Sequence, residues 1–295
     1  MNNTLSIKNV TFSYGNKKVL NDISFNCSNG ITALLGSNGV GKTTLMNILT
    51  GLKKPSSGEI ALNDTDLLNV KNVPLSQIGY LPQNFEIYPN VVGYDFLSYI
   101  CDLKGIKGND KNKVLDEVIN TFNLNDVIKL PFKKYSGGYK RRLGIAQAVL
   151  GDPSLVIIDE PTVGLDPEQR LEFRHYLSKC GEGRITLIST HIIEDAELYS
   201  NNILILNSGN VTFNGSVNEF ISKALNQIYT FNCNIKQLNN IRDNVIIIEE
   251  KRLDNDNVKV KFINNDNNSI AGSNPEMEVS LENAYVYFQK QQRFL

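Results

Sequence analysis

The chain has 295 residues with 41% hydrophobic and 21% charged positions, values that exclude collagen-like, low-complexity and wholly disordered classes and allow about two domains. Thirty basic residues against 31 acidic ones leave a net charge of -1, so no basic surplus draws the whole protein onto nucleic acid, and no nucleic-acid partner is expected. Four scattered cysteines without a CxxC pair, and only two histidines, argue against a zinc site and suit a reducing cytoplasm.

The first ten residues lack the basic and apolar regions of a signal peptide, and no apolar run approaches the roughly 20 residues of a membrane-spanning helix. Any relation to a membrane is therefore expected to run through a partner. Leu5 to Phe12 and Val19 to Phe25 alternate around Gly15-Asn16, which predicts an antiparallel hairpin. Ile31 to Leu35 is a continuous apolar run, as in a strand covered on both faces, and a glycine-rich turn then opens a helix from about Lys42 to Thr50. Residues 91 to 150 carry helical apolar spacing, interrupted near Gly105–Gly108 and Pro131. Leu155 to Ile158 reads as a second buried strand, Pro167 to Cys180 as a helix, Ile185 to Ser189 as a third strand and Ile192 to Tyr199 as a helix, with a hairpin around Ser208–Asn210. Buried strands alternating with helices indicate an α/β fold with a parallel sheet.

Near residue 220 the composition shifts toward asparagine, with polar runs at 254–257 and 264–268. Strand-like segments at Val245 to Ile248 and Val258 to Ile263, and an amphipathic helix from Met277 to Gln292, predict a small α+β appendage.

Three segments carry chemistry. Gly36-Ser37-Asn38-Gly39-Val40-Gly41-Lys42-Thr43-Thr44 matches G-x-x-x-x-G-K-[ST] between a buried strand and a helix. Glycines there let successive backbone N–H groups turn inward on an anion at a helix N-terminus. Lys42 adds a charge for the β- and γ-phosphates, and the Thr43 hydroxyl offers a ligand for Mg²⁺. Leu155 to Asp159-Glu160 ends an apolar strand in two carboxylates: Asp159 is placed to hold Mg²⁺ through water, and Glu160, pointing elsewhere, is free to polarise an attacking water. Ser136-Gly137-Gly138 opens a helix and forms either a second anion nest or a plain Ser-capped N-terminus. One ATP does not need two complete nests from one chain, so the economical reading has Ser136–Gly138 gripping the γ-phosphate of a nucleotide held by another subunit. Lys140-Arg141-Arg142 behind it reads as a solvated helix face.

From these motifs the chain resembles the ATP-binding subunits of ABC transporters over roughly residues 1 to 220, with the motifs in the family's order. The resemblance implies that Tyr14 stacks on adenine, that Gln83 senses Mg²⁺ and the attacking water, that Gly164-Leu165-Asp166-Pro167 crosses a dimer interface, and that His191 is the switch histidine. A buried core histidine is the alternative for His191, while His175 reads as a solvated helix residue. Tyr135 and Tyr139 stand where the family usually has Leu and Gln around Ser-Gly-Gly; tyrosine at both is similar to exporter-type subunits of the ABC-2 class, as is Leu281-Glu282 followed by Tyr285.

The implied fold is the P-loop ABC-ATPase fold: an N-terminal antiparallel β subdomain, a parallel-sheet core and a helical subdomain at about 84–150 within residues 1–220, with 221–295 as an accessory domain. The implied function is hydrolysis of ATP with Mg²⁺ by a head-to-tail dimer, of identical or related chains. It drives transport, in the export direction, through a separate transmembrane permease on the cytoplasmic face of the membrane. A soluble ABC ATPase, as in iron–sulfur assembly, is the alternative. Phe85, Tyr88, Tyr94, Phe96 and Tyr99, beside Gln83, read either as core or as a docking groove; in the groove reading Tyr88, Pro89 and Phe96 line the site that receives a short helix of the permease.

Overall fold

A computed structural model describes residues 2–68, 76–242, 245–264 and 272–291. The chain divides into two compact units, Met1–Asn214 and Gly215–Leu295. In the first, β1 (Thr4–Tyr14) and β2 (Lys17–Ser28) pair antiparallel, and β3 (Gly30–Leu35) leads into α1 (Lys42–Leu49). β4 (Ser57–Leu62) and β5 (Thr65–Asp66) complete a four-stranded sheet of order β2-β1-β4-β5. After β6 (Ile78–Leu81) come three helices, α2 (Gly93–Leu103), α3 (Gly108–Thr121) and α4 (Gly137–Val149). Then β7 (Leu155–Asp159), α5 (Pro167–Cys180), β8 (Ile185–Thr190), α6 (Ile193–Tyr199), β9 (Asn202–Asn207) and β10 (Asn210–Ser216) follow. The second sheet has the order β10-β9-β3-β8-β7-β6, and β9, β3, β8, β7 and β6 run parallel.

The parallel strands are continuous apolar runs because both faces are covered: β7 and β8 are buried at every position. The pleat sends alternate residues to opposite cores. Leu155 and Ile157 join Leu34, Leu45 of α1 and Ile7 of β1 in one core, whereas Val156 and Ile158 join Leu97, Leu143 and Leu177 from the helices in the other. The sheet therefore presents its strand ends, and the loops that carry the motifs, between two packed layers. α4 lies directly on β6, where a Cβ at Gly79 would stand 1.7 Å from the Ala148 carbonyl oxygen. The apolar pattern gives no sign of β4, β5 or β6: β4 carries Ser57, Gly58 and Glu59 in its first half, and β5 and β6 have only two and four residues; β6 is nevertheless the strand that precedes Gln83.

The second unit holds α7 (Val217–Ser222), β11 (Ile228–Asn234), α8 (Ile235–Ile241), β12 (Val245–Arg252), β13 (Asn257–Asn264), β14 (Asn274–Pro275) and α9 (Leu281–Gln291). Its antiparallel sheet, of order β12-β13-β11-β14, closes on a core of Cys233, Leu238, Val260 and Phe262. The last helix starts at Leu281 and not at Met277, because Ser280 caps it: the Ser280 hydroxyl accepts from the Asn283 N–H at 3.1 Å, and Met277 is exposed. Gln292 and residues 265–268 of the second polar run lie outside the described residues. Among the described residues no helix is long and apolar enough to cross a membrane.

Candidate nucleotide site

β3 stops at Leu35 and the chain turns through Gly36–Gly41 into α1. Gly36 passes so close to β9 that a Cβ would sit 2.5 Å from the Leu206 carbonyl oxygen. Gly41 caps α1 at φ 111° without a side-chain hydrogen bond, so the first-turn N–H groups keep their capacity for an anion. A cavity of about 420 Å³ opens over this helix end, lined by Tyr14, Lys17, Val19, Asn38, Gly39, Gly41, Lys42, Thr43, Thr44, Gln83 and Glu160. Gly36, Ser37 and Val40 do not line it. The Gly36 and Ser37 carbonyls accept from Lys42 Nζ at 2.6 and 3.5 Å, and Val40 packs against the apolar core beneath.

Glu160 is aimed into this cavity by its backbone. Its φ of 47° is left-handed, and its N–H is held by Ser189 of β8, donating to the hydroxyl at 2.9 Å and the carbonyl at 3.2 Å. Both carboxylate oxygens of Glu160 have side-chain neighbours in the structure. Its Oε1 lies 3.3 Å from Lys42 Nζ, with both side chains under a tenth exposed, and its Oε2 accepts from His191 Nδ1 at 2.8 Å. Two buried charges neutralise each other, so the carboxylate and the ammonium form a pair bridged outward by the imidazole. His191 is half-exposed at 44%, which removes the alternative of a buried core histidine. His175 is exposed on α5.

Asp159 ends β7 fully buried. Its Oδ1 accepts a short hydrogen bond from Ser189, while its Oδ2 has no partner. Thr43 and Gln83 line the cavity and Asp159 precedes the cavity residue Glu160; the unpartnered carboxylate oxygen, the threonine hydroxyl and the glutamine amide oxygen are hard oxygen donors of the kind that suits Mg²⁺. Among the described residues no cluster of three or more His, Cys, Asp or Glu forms a closed metal cage.

Tyr14 stands at the cavity mouth, 48% exposed, its ring edge-on to Phe12 at 4.9 Å and capped by Lys53 Nζ at 4.9 Å. Ser136, Gly137 and Gly138 do not line the cavity. Ser136 caps α4, its hydroxyl accepting from the Tyr139 N–H at 3.4 Å, and Gly137 is exposed. Asp166 likewise caps α5, accepting from the Gln169 N–H at 2.8 Å. Tyr135 is buried over Gly93, and burial pushes its phenol up to about 12.

The run Lys140–Arg142 is not a solvated face. Arg141 donates through Nη1 to the Gln83 carbonyl at 2.8 Å and through Nη2 to the Val163 carbonyl at 3.2 Å. Arg142 pairs with Glu172 at 2.6 Å and stacks between Tyr139 and Tyr176. The basic pattern carried no signal for this, because the partners are backbone oxygens and residues 19 to 58 positions away. Of the aromatics proposed as a groove, Phe85 packs against Phe96 and Phe132 at 5.9 and 6.0 Å on the helical core, so Phe96 is a packing residue. Tyr88, at 83% exposure, and Tyr99, at 59%, are the side chains that project.

The ABC transporter family profile matches residues 20–163, a span that includes the Gly36–Thr44 loop, Gln83, Ser136–Gly138, Asp159 and Glu160. Over 227 residues the chain is 33% identical to the uncharacterized ABC transporter ATP-binding protein YxlF of Bacillus subtilis, covering 77% of this chain and 75% of that one. It is 35% identical over 195 residues to the lantibiotic transport ATP-binding protein SrtF of Streptococcus pyogenes, covering 65% of this chain and 82% of that one. A solved ATP-binding subunit of an ABC transporter superposes with a TM-score of 0.66 at 28% identity, covering 74% of this chain and 92% of that one. The cassette MJ0796, in a dimeric post-hydrolysis state bound to ADP and Pi, shares the fold with a TM-score of 0.64 at 24% identity, covering 72% of this chain and 98% of that one.

Proposed function

The chain belongs to the ATP-binding subunits of ABC transporters, and from that premise we propose that it works as one half of a head-to-tail ATP-bound pair that drives export through a separate membrane subunit. It is an ABC-type ATPase. In this reading residues 1–220 form the ATPase, with 84–150 its helical part, and 221–295 are an accessory unit. The pair consists of two copies or of this chain and a related one, held at the cytoplasmic face of the membrane by the permease.

The observation that carries the reading is Glu160, set at a buried strand end in the same cavity as the Gly36–Thr44 loop and held on its outer oxygen by His191. Backbone N–H groups of that loop bind the phosphates, Lys42 leaves Glu160 for the β- and γ-oxygens, and Tyr14 stacks on the base. Thr43 and Gln83, with Asp159 through water, would hold Mg²⁺, which would supply charge neutralisation on the phosphate oxygens. Glu160, released from Lys42, then accepts a proton from the attacking water, and His191 keeps the carboxylate oriented. Ser136, Gly137 and Gly138 complete the partner's site and not their own, which is supported by their position away from the cavity. Export is supported by Tyr135 and Tyr139 around Ser-Gly-Gly and by the likeness to a lantibiotic transport protein.

Glu160→Gln tests this. The amide keeps the shape but cannot accept the proton, so phosphate release should fall by about 10²–10⁴ while ATP binding persists in equilibrium dialysis. Turnover near that of the unchanged chain rejects the assignment.

A further inference from the structure

Arg141 sits in the second turn of α4, the helix that begins at the Ser136–Gly138 nest. Its guanidinium is partly buried, and burial lowers its pKa. Among the described residues it is paired with no carboxylate. It grips two backbone carbonyls instead. One belongs to Gln83, a wall of the nucleotide cavity; the other belongs to Val163, which directly precedes the Gly164–Asp166 loop capping α5. The planar fork sets two separate N–H groups on the two oxygens in a fixed geometry, whereas a lysine ammonium is a single point donor on a flexible stem. One side chain thus fastens three segments that are distant in sequence: the nest helix, the Gln83 segment and the loop after Glu160.

In the head-to-tail reading proposed above, the nest of one chain touches the nucleotide of the other, whereas Gln83 faces its own. We propose that Arg141 is a positioning residue that couples the two sites, so that engagement of the nest by the partner's γ-phosphate sets the position of Gln83 in the same chain. α4 is a rigid lever from Ser136 to Arg141, since Arg142 locks it to α5 through Glu172 and Tyr176. A displacement of the nest therefore moves the guanidinium, and the two carbonyls follow it.

The experiment compares the full chain with Arg141→Met and Arg141→Lys, recording steady-state ATP hydrolysis against ATP concentration. It is run at protein concentrations where an ATP-dependent dimer forms in the Glu160→Gln chain. The unchanged chain should give a Hill coefficient approaching about 2, the number of sites, and Arg141→Met should bring it to about 1. Arg141→Lys, which keeps the charge and one carbonyl, should fall between them and also serves if the methionine variant folds poorly. Adding Ser136→Ala to Arg141→Met should lower cooperativity no further, as for two members of one chain of contacts. A merely structural arginine would lower thermal stability and leave the Hill coefficient where it was, and that result overturns the proposal. So does a Hill coefficient of about 1 in the unchanged chain that forms its dimer. Failure of the Glu160→Gln chain to dimerise at all would instead overturn the head-to-tail pairing of two copies of this chain on which the proposal rests.

Discussion

The Lys42–Glu160 pair makes the resting site measurable in the absence of nucleotide. Its side chains are 6% and 7% exposed and 3.3 Å apart. Lys42→Met leaves the Glu160 carboxylate buried with the His191 imidazole as its remaining side-chain partner, and breaking a buried pair from one side costs about 3–5 kcal/mol. Because His191 is 44% exposed and lets water near, the lower end, about 3 kcal/mol, is expected. Glu160→Gln leaves Lys42 with the Gly36 carbonyl at 2.6 Å and should cost less, about 1–2 kcal/mol. The double variant has no charge to strand, so its loss should not exceed that of Lys42→Met, giving a coupling energy of at least about 1–2 kcal/mol. At about 2–4 °C per kcal/mol for a unit of this size, Lys42→Met should lower the midpoint of thermal unfolding by roughly 6–12 °C. Differential scanning calorimetry of the four chains without nucleotide reads the cycle directly. Losses that simply add would show that the two side chains do not hold each other, and the account of Lys42 exchanging Glu160 for phosphate would fail.

Three further outcomes follow from particular contacts. A Cβ at Gly93 would stand 2.1 Å from the Tyr135 hydroxyl, so Gly93→Ala should cost about 1–3 kcal/mol in a urea titration, and Tyr135→Phe should restore part of it; an unchanged midpoint would contradict the packing. Tyr14→Ala should raise KM for ATP and GTP alike by an amount equivalent to about 1–3 kcal/mol, since stacking uses the ring face; unchanged KM values make Tyr14 a hairpin residue only. Burial, with Arg184 adding repulsion, holds Lys104 down to about 8 from 10.5. Between those values the unfolded chain binds more protons than the folded one, so stability should rise with pH across that window and Lys104→Met should flatten the rise; parallel stability curves would refute it.

What the sequence made legible follows from how each feature is encoded. The Gly36–Thr44 loop, the Asp159–Glu160 strand end and the Ser136 cap are contiguous, and their local physics can be read from a few adjacent residues. The buried strands announced themselves as unbroken apolar runs because helices or a second sheet cover both faces. Long-range pairings left no such trace. Glu160 meets Lys42 across 118 positions through sheet order alone, and nothing near either residue says that the carboxylate is occupied. Arg141 looked like one charge in a basic run because its partners are main-chain oxygens. Phe96 looked like a docking anchor because aromatic clustering is the same signal for a groove and for a core, and Phe85 and Phe132 decide between them. The start of the last helix slipped by four residues because Ser280, and not the apolar Met277, provides the cap.

The head-to-tail pair is the central claim, and a disulfide across it is the most direct measurement. All four native cysteines are buried and give little background. Asn38 is exposed in the phosphate loop, Gly137 is exposed in the nest, and a Cβ at Gly137 meets nothing within 4 Å, so both accept cysteine. With Asn38→Cys and Gly137→Cys in a Glu160→Gln chain, mild oxidation in ATP and Mg²⁺ should give a cross-linked dimer on non-reducing gels, and oxidation in ADP or without nucleotide should leave monomer. Monomer under ATP, in a chain that demonstrably binds it, or equal cross-linking with and without nucleotide would contradict the account.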